Sequence, residues 1–403
     1  MARFLKAVDQ SIAVFGESGS GKTVLASSFF GARQEPSFSS DCWDLVADDT
    51  SLGNRLLRNY VGMKKYATAP PPTRFAGMTY NFSVKVKGVG TAKAKNLPFD
   101  TLRLAWHDYP GEWWEESPSS EEEETDRRVE MFRSLLRSDV ALLLVDGQRL
   151  LDHLGEEERY LMSLLTNFRQ GLLRLKDDLL DGKGPLVEFP RIWIIALSKA
   201  DLFPDWNVHS FRELVLWKAN DHIDQLRATL REFVVTPEAL SLGEDFMLLS
   251  SAKFELSPDG PAPVKIDVTK RVGVDLILPV ASMLPLERLV QRHGKMMIPL
   301  KVLNAMADGA EAMAPVLLGK KGFGGVAKVV AVLPKAAKLP KAGPLAGMAA
   351  IPAVIAAAKM AEPHLKEINK QAQESHDCLT ATLTQFKLDL DRGAADGLLI
   401  KGK

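Results

Sequence analysis

Residues 16–23 read Gly-Glu-Ser-Gly-Ser-Gly-Lys-Thr, and they follow a short apolar run, SIAVF, at 11–15. The octet fits G-x-x-x-x-G-K-[ST], with a buried strand expected before it and a helix expected to begin near Gly21. Glycines in such a loop let successive backbone N–H groups turn inward as an anion nest. The positive end of the following helix adds to the field. A chain that builds this loop needs a buried parallel strand to carry it. No other stretch limits the choice of fold as much.

Other segments extend the same pattern. SDVALLLVDG (138–147) and RIWIIALSKAD (191–201) are continuous apolar runs of the kind found in strands covered on both faces, and DFMLLSSAK (245–253) is a further strand. MTYNFSVKVKG (78–88) and FDTLRLAWHD (99–108) alternate, which predicts an antiparallel hairpin. Helices are expected near 127–138, over 150–180 and near 208–235. Residues 31–78 lack clear periodicity, contain APPPTRFAG, and read as loop-rich. Strands alternating with helices give an α/β fold, a mostly parallel sheet flanked by helices with one antiparallel member. A change of composition near residue 294 divides the chain into a domain at 1–293 and a helical, Ala/Gly/Lys-rich accessory region at 294–403.

Composition narrows the class. Among 403 residues, 46% are hydrophobic and 25% charged, as in a soluble globular protein, and the formal net charge is zero. That balance gives no reason to expect a nucleic-acid partner. Residues 112–130 hold nine acidic side chains, whereas 312–361 hold seven lysines and no acid. The lysine-rich stretch includes seventeen uncharged residues (342–358), broken by Pro344 and Pro352. It makes a poor membrane span but suits an anionic membrane surface, packing on the domain, or packing on a second copy. Cys42 and Cys378 cannot form a disulfide framework, and the N-terminus has no signal-like run. A cytoplasmic protein is the expectation, with peripheral contact at the inner face of the membrane through 312–361 left open beside packing and disorder of that stretch.

Three fragments at the predicted C-terminal ends of strands supply further chemistry. In Asp108-Tyr109-Pro110-Gly111, the carboxylate can hold Mg2+ through water and the Gly111 N–H can meet a γ-phosphate. In Ser198-Lys199-Ala200-Asp201, the aspartate can accept hydrogen bonds from the N1–H and exocyclic amine of guanine, which adenine cannot supply. Lys199 can lie along the base plane. The backbone of Ser251-Ala252-Lys253 can meet the guanine O6. Their order, at the same ends of successive strands, is what a doubly wound nucleotide site requires.

The set GESGSGKT, DYPG, SKAD and SAK resembles the first, third, fourth and fifth guanine-nucleotide motifs of the TRAFAC-class P-loop GTPases. DYPGEW (108–113) and PPTRFAGMTYNFSVKV look like the YcjX-like bacterial branch. The resemblance spans about residues 10–255 through short motifs and implies a Ras-like P-loop NTPase fold. It implies nucleotide contacts from Gly16, Glu17, Ser18, Gly19, Ser20, Gly21, Lys22, Thr23, Ser198, Lys199, Asp201, Ser251, Ala252 and Lys253. Mg2+ would be held by Thr23, Asp108 and Thr73, the last as the switch I threonine with Thr68 its competitor. Lys22, Thr73, Gly111 and Glu112 form the implied catalytic set. Glu112 stands where Ras-like GTPases carry glutamine, so it either orients the attacking water or serves as a switch element. Arg74 is a candidate for an arginine finger. Trp113 or Trp114 is expected to pack beneath the switch, residues 121–124 to form a solvated loop, and His107 to be a strand-end residue.

The reading that follows is a GTP-binding, slowly hydrolysing, Mg2+-dependent molecular switch. Loops at 60–78 and 109–130 would be ordered by GTP, and nucleotide state would pass to a protein partner, a second copy or a membrane. The alternatives are an ATPase of the same fold and a nucleotide-gated scaffold with negligible hydrolysis.

Overall fold

The computed structural model describes residues 7–71, 77–87, 101–108, 110–111, 122–180, 192–234, 240–257, 263–293, 362–374 and 378–402. In chain order the first half comprises β1 (Ala7–Phe15), α1 (Lys22–Ala32), β2 (Trp43–Ala47), α2 (Thr50–Tyr66), β3 (Met78–Val86), β4 (Thr101–Asp108), α3 (Glu122–Leu136) and β5 (Val140–Asp146). There follow α4 (Gly147–Asp152), α5 (Glu157–Arg174), α6 (Lys176–Leu180), β6 (Ile192–Ser198), α7 (Val208–Arg231), β7 (Asp245–Leu248), β8 (Lys253–Leu256) and β9 (Pro263–Asp267). The chain closes with α8 (Ile277–His293), α9 (Glu362–Glu374), α10 (Cys378–Ala395) and β10 (Leu399–Ile400).

The main sheet runs β10-β7-β6-β5-β1-β4-β3-β2, and β8 pairs separately with β9. Strands β7, β6, β5, β1 and β4 are parallel to their neighbours within that group. β3 and β2 are antiparallel at one edge and β10 at the other. The expected hairpin is present as β3–β4, but two strands, β3 and β10, run against the others, and β2 returns to the majority direction. The fold is α/β, with a mostly parallel mixed sheet flanked by helices.

The apolar runs are continuous because both sheet faces are covered. Along β1, Ile12 and Val14 enter one core cluster while Ala13 and Phe15 enter the other. In β5, Leu142 and Leu144 face the first cluster and Leu143 and Val145 the second; β6 divides Ile194 and Ala196 from Trp193 and Ile195 in the same way. The second cluster includes Phe168 of α5 and Phe211 of α7, and Phe15 stacks on Trp193 at 5.4 Å.

Two expectations need correction. Residues 31–78 are not mainly loop: they contain β2 and α2. Helix α2 is capped by Asp49, whose carboxylate accepts from the N–H groups of Ser51 and Leu52, and it buries Gly53, Leu56, Tyr60 and Met63 on one face. It also packs tightly on α1, since a Cβ at Gly31 would lie 2.3 Å from Tyr60 Cβ. Residues 122–124, taken as solvated loop, begin α3, where acidic residues suit the positive end of a helix. The supposed switch loops are thus shorter: 60–66 completes α2 and 122–130 belongs to α3.

The boundary near 294 does not separate 378–402 from the domain. Leu379, Leu383, Phe386 and Leu390 of α10 form a buried stripe in the first core cluster, and β10 extends the sheet beyond β7. A charged network closes the seam. Lys387 bridges Glu287 (2.6 Å) and Asp391 (2.7 Å), Lys401 bridges the same pair, and Arg288 meets fully buried Asp245. Asp245 also accepts from the Gly402 N–H at 2.7 Å. The stripe was overlooked because polar residues fill the positions between its apolar ones. Residues 312–361 lie outside the described residues. No described helix is long and apolar enough to cross a membrane.

Candidate functional site

Five strands end on the same side of the sheet; β4, β5 and β6 end on polar residues, and β1 and β7 lead into polar turns. β1 runs into the loop at 16–21. Gly19 and Gly21 have φ of 81° and 90°, left-handed conformations that glycine adopts without strain. Gly16 has no room for a side chain, since a Cβ there would fall 2.6 Å from Ser20 Oγ and 3.0 Å from Leu144 Cβ. Buried Lys22 curls back over the loop, donating to the carbonyls of Gly16 (2.7 Å) and Glu17 (2.9 Å).

β4 ends at Asp108, which is fully buried, and Thr23 Oγ1 donates to Asp108 Oδ2 at 3.0 Å. Burial raises the carboxyl of Asp108 above its ordinary range, against the opposing pull of Lys22, Thr23 and Arg55. Its Oδ1 and the Ser20 Oγ are both shut off from water without a hydrogen-bond partner among the described residues. An unsatisfied carboxylate oxygen beside a hydroxyl and a glycine loop fits a hard cation with oxygen ligands together with the anion it escorts. Gly111 sits against the loop, because a Cβ on it would lie 2.1 Å from Ser18 N. His107 pairs with Thr79 at 3.0 Å across the β3–β4 register, and burial lowers its imidazole to about 4.

β5 ends at Asp146 and β6 at Ser198. Lys199 stands in the left-handed region at φ 53°, and its ammonium bridges both Asp146 oxygens at 2.8 and 2.9 Å. Asp146 also caps α4 by accepting from the Gln148 N–H, while its own N–H donates to Tyr160 Oη. Asp201 Oδ1 accepts from Ser250 Oγ at 2.6 Å. The Ala200 N–H donates to the Leu249 carbonyl at 3.0 Å, tying the turn after β6 to the turn after β7.

These turns enclose a cavity of about 270 Å³ lined by Gly19, Ser20 and Gly21, by Ser198, Lys199 and Asp201, and by Ser250, Ser251 and Ala252. The walls include Ala69, Leu144, Gln148, Leu249 and Phe254. Residues 19–21 and residues 198, 199 and 201, far apart in the chain, therefore line one cavity. Lys253 does not line it, being exposed as the first residue of β8. Thr68 is engaged locally with the Tyr66 carbonyl at 3.1 Å, and Thr73, Arg74, Glu112, Trp113 and Trp114 lie outside the described residues.

Sequence reasoning missed several groups. Asp146 was visible only as the last residue of VALLLVD. Arg149, donating to the Ser18 carbonyl at 3.2 Å and paired with Glu17 at 3.0 Å, had no signal beyond being basic. Arg55 on α2 was invisible because α2 was not foreseen, yet its charge acts on Asp108.

Comparison with protein-family profiles and with curated proteins gave no match. Among solved structures, the chain has a distant likeness to the signal recognition particle receptor SRb-GTP/SRX complex from Chaetomium thermophilum. The TM-score is 0.30 and the identity 17%, over 64% of this chain and 94% of that chain.

Proposed function

We propose that this protein is a GTP-binding molecular switch that hydrolyses its nucleotide slowly and depends on Mg2+. The observation carrying the proposal is the shared cavity, whose lining includes both the glycine loop and Asp201. A triphosphate suits the nest, and a purine presenting two adjacent N–H donors suits Asp201. Thr23 and Asp108, with Thr73 from switch I, would hold Mg2+, which when bound neutralises phosphate charge. Lys22 exchanges its carbonyl partners for phosphate oxygens, and Lys199, fixed by Asp146, lies beside the base. Support for switching comes from Gly111, whose backbone abuts Ser18, so nucleotide at the loop bears directly on the segment that follows β4. That segment, with residues 312–361, is where a protein partner, a second copy or a membrane surface would read the state.

Phosphate release from GTP tests the proposal. The wild type should turn over slowly, and Thr23→Ala should raise the Mg2+ needed for half-maximal rate by about 10- to 100-fold. Background-level release in the wild type would remove the hydrolase reading, and an unchanged Mg2+ requirement in Thr23→Ala would remove Thr23 from the metal site.

A further inference from the structure

Cys42 immediately precedes β2, the outermost strand of the main sheet, and Cys378 is the first residue of α10. They are the two cysteines of the chain. Although far apart in sequence, both pack half-buried against the same core cluster, close enough for the Cys378 side chain to act on the Cys42 thiol. Neighbouring contacts fix the junction. The Trp43 ring meets Phe386 of α10 edge-on at 5.8 Å, and the Lys87 N–H donates to the Cys42 carbonyl at 2.8 Å. Neither cysteine lines the nucleotide cavity.

We propose that Cys42 and Cys378 form a thiol–disulfide exchange site, closed by a small-molecule disulfide of the oxidised-glutathione type into an intramolecular bond that clasps α10 to the sheet edge. One protein thiolate attacks the small disulfide, forming a mixed disulfide and expelling one small thiolate. The second protein thiolate attacks the protein sulfur of that mixed disulfide and expels the other. The two protons leaving the cysteines end on the two small thiols. The protein pair is thereby oxidised by two electrons and the small disulfide reduced by two.

The surroundings accommodate the closed form once it is made, because a disulfide is as uncharged and apolar as the two neutral thiols it replaces. They also slow its formation. Burial first, then the Cys378 thiol and Asp41, push the Cys42 thiol up to about 12, with Lys87 acting in the opposite sense. Whichever cysteine attacks first, Cys42 must pass through its thiolate, so closure accelerates by about tenfold per pH unit through the neutral range. The clasp constrains the unfolded chain across nearly its whole length and holds down a helix that leads directly into β10.

The test treats the full chain with oxidised glutathione at mildly alkaline pH and follows intact mass, peptide linkage and thermal melting. The expected product has lost two hydrogens, carries a Cys42–Cys378 linked peptide, and melts on the order of 5 °C higher, a gain reversed by dithiothreitol. Cys42→Ser and Cys378→Ser should each keep one glutathione adduct and show no such gain. Wild-type chains that yield only adducts or intermolecular dimers, or whose thiols both stay free, would overturn the site. A linked product melting like the reduced chain would overturn the clasp.

Discussion

Lys22→Ala is expected to weaken GTP binding by about a thousandfold, the sum of two charge-assisted hydrogen bonds to phosphate oxygens at roughly 1.5–3 kcal/mol each. The ammonium is positioned by the chain before any ligand arrives, buried and held over the loop by the Gly16 and Glu17 carbonyls. Those same bonds brace the loop, so truncation also loosens the cradle. A parallel melting curve separates the two effects: lost affinity with a near-native melting temperature assigns Lys22 to the phosphates. Calorimetric titration of the folded variant checks this, and an affinity within threefold of wild type would deny Lys22 its role.

Asp201→Asn should reduce the preference for GTP over ATP by about a hundredfold. A carboxylate accepting two hydrogen bonds from guanine gains roughly 1.5–3 kcal/mol from each, and adenine offers no matching donors. An amide is isosteric but presents a donor to one of guanine's own donors. The Ser250 hydroxyl keeps an acceptor in the amide oxygen, so the turn holding residues 250–252 should stay in place. The change is read as a ratio of affinities in one variant, which cancels any general loss of stability. A ratio unchanged from wild type would mean that Asp201 does not read the base.

The parts of the site that were legible in the sequence are those where backbone conformation dictates residue type. Gly19 and Gly21 occupy left-handed positions, and Gly16 faces a wall 3 Å away or closer; the octet is visible because no other residues fit there. Buried strands were visible for a similar reason, since two covered faces favour apolar side chains along β5 and β6 up to their Asp146 and Ser198 ends. What escaped notice depends on tertiary contact. Asp146 is one more aspartate until Lys199 reaches it, and Arg149 one more surface cation until α4 lies over Ser18. α2 was obscured because its buried face includes glycine and tyrosine among charged neighbours. α10 fell within the accessory region assigned to 294–403 because a stripe of four residues is a small part of its composition. The pairing of Cys42 with Cys378 has no sequence signature at all, since only the passage of α10 toward β2 creates it.

The central claim is that the glycine loop and Asp201 grip opposite ends of one guanine nucleotide. Calorimetric titration of the wild-type chain with GTP and then ATP, each with Mg2+, tests it most directly. One GTP per chain is expected, with ATP weaker by about a hundredfold or more. Saturable binding of neither nucleotide, or equal affinity for both, would contradict it.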